Sequence, residues 1–257
     1  MHEGHRERLR AEYLQHSGDG LPDHRFLELL LCYAIPRKDT NELAHRLLQR
    51  FGSLEAVLFA DTSQLQSVEG IGESAAVFLN MQGSMARRLL LQRLEDKHGR
   101  TQLATPLAAA KLGIARLSRR AYENVELVCL NAKRYVEHIV PLHTGVVAES
   151  QIYPRQVVEI ALLRRAHGVL LYHNHPSGNP SPSEDDKEVT AAVRSALGSV
   201  DIPLLDHIII GRDCAYSFSS DVILALDGDQ GVSMSTEEYA SRVAKQADAH
   251  RMVMEAY

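Results

Sequence analysis

One change of hydrophobic period divides this chain, and it constrains the fold more than any figure of composition. From residue 26 to residue 94 the apolar side chains recur at helical spacing, as in Phe26, Leu27, Leu29, Leu30 and Leu31 and again in Leu43, Leu47 and Leu48. Pro36, Phe51-Gly52-Ser53 and Gly70-Ile71-Gly72 supply the turn chemistry that ends one helix and starts the next. A polar stretch, His98-Gly99-Arg100-Thr101-Gln102, interrupts the pattern, and beyond it short apolar runs take over. Residues 125–130 and 135–140 read as two strands joined through Asn131-Ala132-Lys133-Arg134. Pro154 opens a helix to roughly residue 167, since proline suits a first helical turn. Residues 168–172 suit a buried strand, 183–197 a helix, and 202–211 with 216–218 further strands. The length of 257 residues allows a core in each of two modest domains. The expected organisation is a small all-α domain over 1–97, a linker over 98–106, an α/β domain over 107–228 and a helical or flexible tail over 229–257.

Several function classes drop out early. No run of about 18 apolar residues is present to span a bilayer, and the polar start Met1-His2-Glu3-Gly4-His5-Arg6 lacks a secretory h-region, so the expectation is a cytoplasmic protein without membrane partners. Cys32, Cys129 and Cys214 are scattered and form no CxxC, which excludes a thiolate zinc site and a disulfide framework. A net charge of −5 gives no global pull toward nucleic acid, so any DNA contact has to be local.

Chemistry concentrates between residues 172 and 186, in Tyr172-His173-Asn174-His175-Pro176-Ser177-Gly178-Asn179-Pro180-Ser181-Pro182-Ser183-Glu184-Asp185-Asp186. His173 and His175 sit two apart at the end of a strand, where side chains at that spacing share a face and can grip one ion. The Pro/Gly-rich loop then returns the chain so that Asp186, in the first turn of the next helix, can offer a carboxylate oxygen. Two imidazoles and a carboxylate leave a fourth position open for water, the arrangement of a catalytic zinc rather than a structural one. Taken singly, each residue has a plainer reading: a surface histidine, or a Ser183/Asp186 capping box. Taken together, the spacing favours a metal. An iron(II) site built from two histidines and a carboxylate uses the same donors. An HNH nuclease does not fit, because its three residues are spread over a hairpin and helix rather than adjacent. Asp206-His207 precedes an Ile-Ile-Ile run and reads as a structural pair, with orientation of a metal ligand as the alternative.

The stretch resembles the JAMM motif of MPN-domain metalloproteins, His-x-His, then seven residues, then Ser-x-x-Asp, with His173, His175, Ser183 and Asp186 in register. The form HNHPSGNPSPSEDD, with Tyr153-Pro154-Arg155 before it and Leu205-Asp206-His207-Ile208-Ile209-Ile210-Gly211 after it, resembles the bacterial RadC family, historically labelled DNA repair proteins. The resemblance implies a cytidine-deaminase-like JAMM/MPN domain after a helix-hairpin-helix domain, and a zinc-dependent hydrolase of peptide or isopeptide bonds with one Zn2+ per chain. Its substrate would be a peptide or protein. In such hydrolases a glutamate near the first strand activates the water at the zinc. Glu123 fits the family register, with Glu126 and Glu149 as the other candidates. Ser183 would hydrogen-bond the developing oxyanion. Gln156 stands where many relatives carry glutamate.

Leu47 to Ser53 and Val68 to Ala76, the latter with the turn Gly70-Ile71-Gly72, resemble a tandem helix-hairpin-helix module, in which the backbone N–H groups of such a turn can hold a phosphate. Glu73 and Ser74 occupy the places where a cation would help, so only weak DNA contact is expected. The second functional class is therefore a non-hydrolytic, DNA-associated module with a structural metal.

Overall fold

The computed structural model describes residues 3–16, 20–36, 38–145, 152–227 and 230–255. The chain divides into two compact units, Met1–Leu89 and Leu90–Tyr257. The first is helical: α1 (Glu3–His16), α2 (Asp23–Ala34), α3 (Asn41–Phe51), α4 (Leu54–Phe59), α5 (Thr62–Gln66) and most of α6 (Glu73–Gln92). Its core gathers the periodic leucines, with Leu27, Leu31, Leu47, Leu65 and Leu79 wholly buried. Ser53 caps α4 by accepting from the Ala56 N–H, and an Asp61/Gln64 capping box starts α5. At the turn before α6, Gly70 takes the left-handed φ of +98°, and Ile71 between the two glycines is buried in the core. A buried carboxylate, Glu28, ties this unit together by accepting from Asn41 Nδ2 at 3.0 Å and pairing with His5 Nε2 at 2.7 Å.

The second unit carries α7 (Pro106–Leu117), β1 (Glu123–Leu130), β2 (Val136–Gly145), α8 (Pro154–Leu163), β3 (Gly168–Asn174), α9 (Glu184–Gly198), β4 (Leu204–Ile210), β5 (Cys214–Ser217), β6 (Val222–Asp227), β7 (Gln230–Met234) and α10 (Thr236–Glu255). Thr105 caps α7 and Pro106 opens it. The strands form one sheet in the order β2-β1-β3-β4-β5-β6-β7. Neighbours are antiparallel except β3 and β4, which run parallel and are joined by α9. Alternation along the strands sends Val128, Leu130, Leu170 and Tyr172 to one face, packed with Ala109, Leu112 and Leu117 of α7. Val125, Leu127, Val169 and Leu171 go to the other face, with Val157 of α8 and Val193 and Leu197 of α9. A parallel strand followed by a crossover helix opens a crevice at the strand's C-terminal end. Here that end is His173-Asn174.

The stretch expected as a linker, 98–106, is stitched into the second unit. Glu95 bridges Thr101 and Gln102 bridges Tyr135, while the Leu103 and Val136 N–H groups donate to Arg134 and Thr101 carbonyls. Backbone pairing of this kind needs no apolar alternation, so polar side chains hide it. The division between units falls instead after Leu89, inside the helical pattern. The expected tail also begins differently, since Gln230–Met234 pairs with β6 before α10 starts. Four of its five residues are exposed, which removes the buried period that would announce a strand. The helix from Pro154 stops at Leu163, with Arg165 at a left-handed φ of 51° turning the chain toward β3.

Candidate metal centre

His173 follows Val169 and Leu171 on the α8/α9 face of β3 and is 2% exposed. His175 lies just past the strand, its N–H donating to the Ile210 carbonyl at 2.9 Å. The loop that follows is braced against the β4–β5 turn. Gly178 has φ +83°, its carbonyl accepts from Arg212 N at 3.2 Å, and a Cβ on Gly211 would meet that carbonyl oxygen at 2.5 Å. A side chain at Gly211 would push the loop away, and one at Gly178 would strain its left-handed backbone. Ser183 then caps α9: its Oγ accepts from Asp186 N at 3.1 Å and donates to Asp186 Oδ2 at 2.6 Å, while the Ser183 N–H donates to the same oxygen at 2.7 Å. The box fixes the Asp186 carboxylate in the first turn, beside both histidines.

His173 Nε2 lies 3.0 Å from His175 Nε2 and 3.2 Å from Asp186 Oδ1, and His175 Nε2 lies 3.6 Å from Asp186 Oδ2. The three side chains form a group able to hold a metal ion. Two atoms each bound to a tetrahedral zinc stand roughly 3.3 Å apart, so the spacing fits that ion. Protonation fits as well. His175 Nδ1 is 2.8 Å from the Asn179 carbonyl, which can only accept, so the ring carries its proton on Nδ1 and an uncharged His175 presents a bare Nε2. Facing nitrogens this close need a cation or proton between them.

The electrostatics agree. Burial acts to raise the Asp186 carboxyl, but the close His173 and His175 imidazoles and the Ser183 hydroxyl outweigh it and hold the group far below the carboxylate range. Burial acts to lower His175, yet Asp186, the Asn179 carbonyl and the Asp186 and Glu123 charges leave its pKa raised. The group opens into a cleft of about 470 Å³, walled by Ile152 and Val189 and carrying Glu123, Ser183 and Asp185 as well as the trio.

Glu123 starts β1 on the same face as His173, whose Cα partner is Val125. Glu126 is on the opposite face, its carboxylate held by Arg116 Nε at 2.7 Å and NH2 at 2.9 Å. Glu149 lies outside the described residues. Gln156 is exposed on α8. Gly70, Ile71 and Gly72 belong to the helical unit.

Asn174 and Thr190 gain a place that the sequence does not assign, and His207 takes up the alternative that the sequence leaves open. Asn174, between the histidines, accepts from Asn124 N at 2.9 Å and donates to the Tyr122 carbonyl at 3.1 Å, so it brackets Glu123. His207, read from the sequence as structural or else as orienting a metal ligand, is wholly buried with Nε2 2.7 Å from His173 Nδ1. Burial, then the neighbouring His173, pushes its pKa well below the usual value. Thr190 Oγ1 touches His207 Nδ1 at 2.6 Å. Its place four residues after Asp186, on one helix face, is the only signal of it in the sequence. Asp206 turns to the other side of β4, where Ser217 and Ser219 donate to its buried carboxylate.

A mixed sheet covered by helices on both faces, with two histidines at the end of a central strand and an aspartate at the start of the crossover helix, defines a JAB/MPN-like α/β domain, preceded by a helical region. Residues 103–223 match the family model described as RadC-like JAB domain. The chain belongs to the RadC family. A UPF0758 protein of Fusobacterium nucleatum is 30% identical to it over 226 residues, covering 86% of this chain and 97% of that protein. A UPF0758 protein of Ruegeria pomeroyi is 34% identical over 217 residues, with 84% and 96% covered. One of Saccharophagus degradans is 35% identical over 213 residues, with 83% and 94% covered.

Proposed function

We propose that this protein is a zinc-dependent hydrolase of the JAMM type that cuts an amide bond, peptide or isopeptide, in a peptide or protein. The observation that carries the reading is the convergence of two imidazole Nε2 atoms and one carboxylate in a cleft that also holds Glu123. His173 Nε2, His175 Nε2 and the Asp186 carboxylate would hold one Zn2+. Bound there, zinc supplies a Lewis acid that polarises the scissile carbonyl and eases the ionisation of water. Glu123 is the general base: its carboxylate takes a proton at the cleft and returns it to the leaving nitrogen. Arg116 leaves Glu126 no such freedom. Ser183, by turning its hydroxyl from Asp186 Oδ2 toward the substrate, contributes a hydrogen bond to the oxyanion while its lone pair keeps the cap. Ile152 and Val189 shield the reacting bond from bulk water.

The order β2-β1-β3-β4-β5, with β1 antiparallel to both neighbours, supports a cytidine-deaminase-like kinship for the second unit. The Gly70-Ile71-Gly72 turn supports a helix-hairpin-helix reading of the first, with weak DNA contact. Buried free thiols at Cys32, Cys129 and Cys214 suit a reducing, cytoplasmic setting. Among the described residues no helix is long and apolar enough to cross a membrane.

The deciding experiment is metal analysis of protein purified without chelator, followed by a screen of peptide and isopeptide substrates. Roughly one zinc per chain and cleavage abolished by Glu123→Gln are expected. Iron as the sole bound metal, or cleavage indifferent to every change in the cleft, overturns the reading.

A further inference from the structure

His173 and Asp186 are joined a second time, behind the cleft. Thr190 Oγ1 lies 2.5 Å from the Asp186 main-chain oxygen, and a carbonyl can only accept, so the single hydroxyl proton of Thr190 is committed there. Its oxygen can then only accept from His207 Nδ1 at 2.6 Å, which places the His207 proton on Nδ1. The His207 ring is wholly buried and stacked on Phe218, with centroids 4.9 Å apart and planes within 6°. A second proton would make it a cation in a site without solvent, so its Nε2 stays bare and accepts. The donor for the 2.7 Å contact is therefore His173 Nδ1–H. His173 is left with a bare Nε2, aimed at Asp186 Oδ1 and His175 Nε2. The order of protons is dictated from one end, by a main-chain carbonyl.

We propose that Thr190 and His207 are positioning residues: they lock His173 in the Nδ1–H tautomer and fasten its ring to the backbone of Asp186, so that one member of the trio sets the geometry of another. The purpose assigned to the relay rests on the metal reading above, whereas the proton order stands on hydrogen-bond geometry. His175 is oriented differently, by the Asn179 carbonyl of its own loop. His173 comes from β3 and Asp186 from α9, and the relay spans the two by way of β4.

The test uses the full chain, its Thr190→Val variant, which keeps the shape but removes the hydroxyl, and Thr190→Ser, which restores it. Nitrogen-15 NMR of the histidines in metal-free protein reads the tautomers, and competition against a chromophoric chelator reads zinc affinity. Nδ1–H at both His173 and His207 is expected in the parent and in Thr190→Ser. Thr190→Val should lose the Nδ1–H signature at His207 and bind zinc about 10-fold more weakly, the lower end of the effect of removing a partner bonded directly to a ligand, since Thr190 acts through His207. An Nε2–H His173 in the parent overturns the relay, as does parental zinc affinity in Thr190→Val. Wrong tautomers with tight zinc binding would sink the relay alone. Correct tautomers in a parent chain that binds no zinc would sink the metal reading and the purpose assigned to the relay. If Thr190→Val does not fold, the parent's own spectra still decide the proton order.

Discussion

Glu123 and Glu126 lie on one strand, yet the two faces of the sheet treat them in opposite ways. On the α7 face, polar groups are closed off: Arg116 grips Glu126 with two hydrogen bonds, and the Tyr172 hydroxyl donates to the Ala109 carbonyl at 2.8 Å. On the α8/α9 face, closure stops halfway. His207 and the Asn179 carbonyl occupy one nitrogen of each site histidine, and the other nitrogens converge with Asp186 on the cleft that Glu123 shares. A buried polar group whose partners are all internal contributes to holding a fold, because its desolvation is offset in place. A group satisfied on one side only is set up to meet something that arrives.

The largest test of this contrast removes a member of the trio. His173→Ala or Asp186→Ala should abolish zinc content after dialysis and all cleavage. Tyr172→Phe, one residue away on the closed face, should keep the metal and lose only about 1 kcal/mol of stability in a denaturant titration. Metal retained in both trio variants would remove the distinction between the faces.

The two glutamates come next. Glu123→Gln should leave zinc content unchanged and lower turnover on the order of a hundredfold. Glu126→Gln should do the reverse, leaving the folded protein active but costing about 1–2 kcal/mol, because the half-buried Arg116 loses its charged partner and keeps a single amide acceptor. If the effects were exchanged, the catalytic role would move to Glu126.

A smaller effect follows from pH. With the His175 pKa raised, the metal-free protein holds a proton where zinc would bind, so zinc has to displace it. Apparent zinc affinity should rise with pH by up to about tenfold per unit and level off once pH exceeds the raised value. The same shift gives the metal-free fold a stabilisation that is complete below the ordinary histidine pKa and lost as pH rises through the raised one. Chelator competition and thermal melts across that window read both. An affinity that falls with rising pH would show that no proton is held at His175.

The smallest effect belongs to Ser183→Ala. Loss of the α9 cap should cost about 1 kcal/mol, with zinc retained and turnover reduced less than in Glu123→Gln. A loss of zinc as complete as in Asp186→Ala would show that the cap, rather than the carboxylate alone, builds the site.

What can be read from the sequence here is whatever depends on neighbours along the chain. The His173/His175 pairing follows from the two-residue period of a strand, the return to Asp186 from a Pro/Gly loop and a capping box, and the division into a helical and an α/β part from a change of period. Each is a local rule acting within one turn or one strand, so grouping the trio requires no knowledge of the fold. The choice among glutamates was not available in that way. It depends on which face of β1 meets α7, and because side chains alternate, a register shift of one residue would exchange Glu123 and Glu126. The stitching of 98–106 to the β1–β2 hairpin and the pairing of β7 are made by backbone atoms, which every residue possesses and none advertises. The relay from His173 through His207 and Thr190 to Asp186 joins three elements through contacts spanning up to 34 positions of sequence. Only the tertiary structure could decide it, because a hydrogen bond depends on distances in space and carries no record of the chain between its ends.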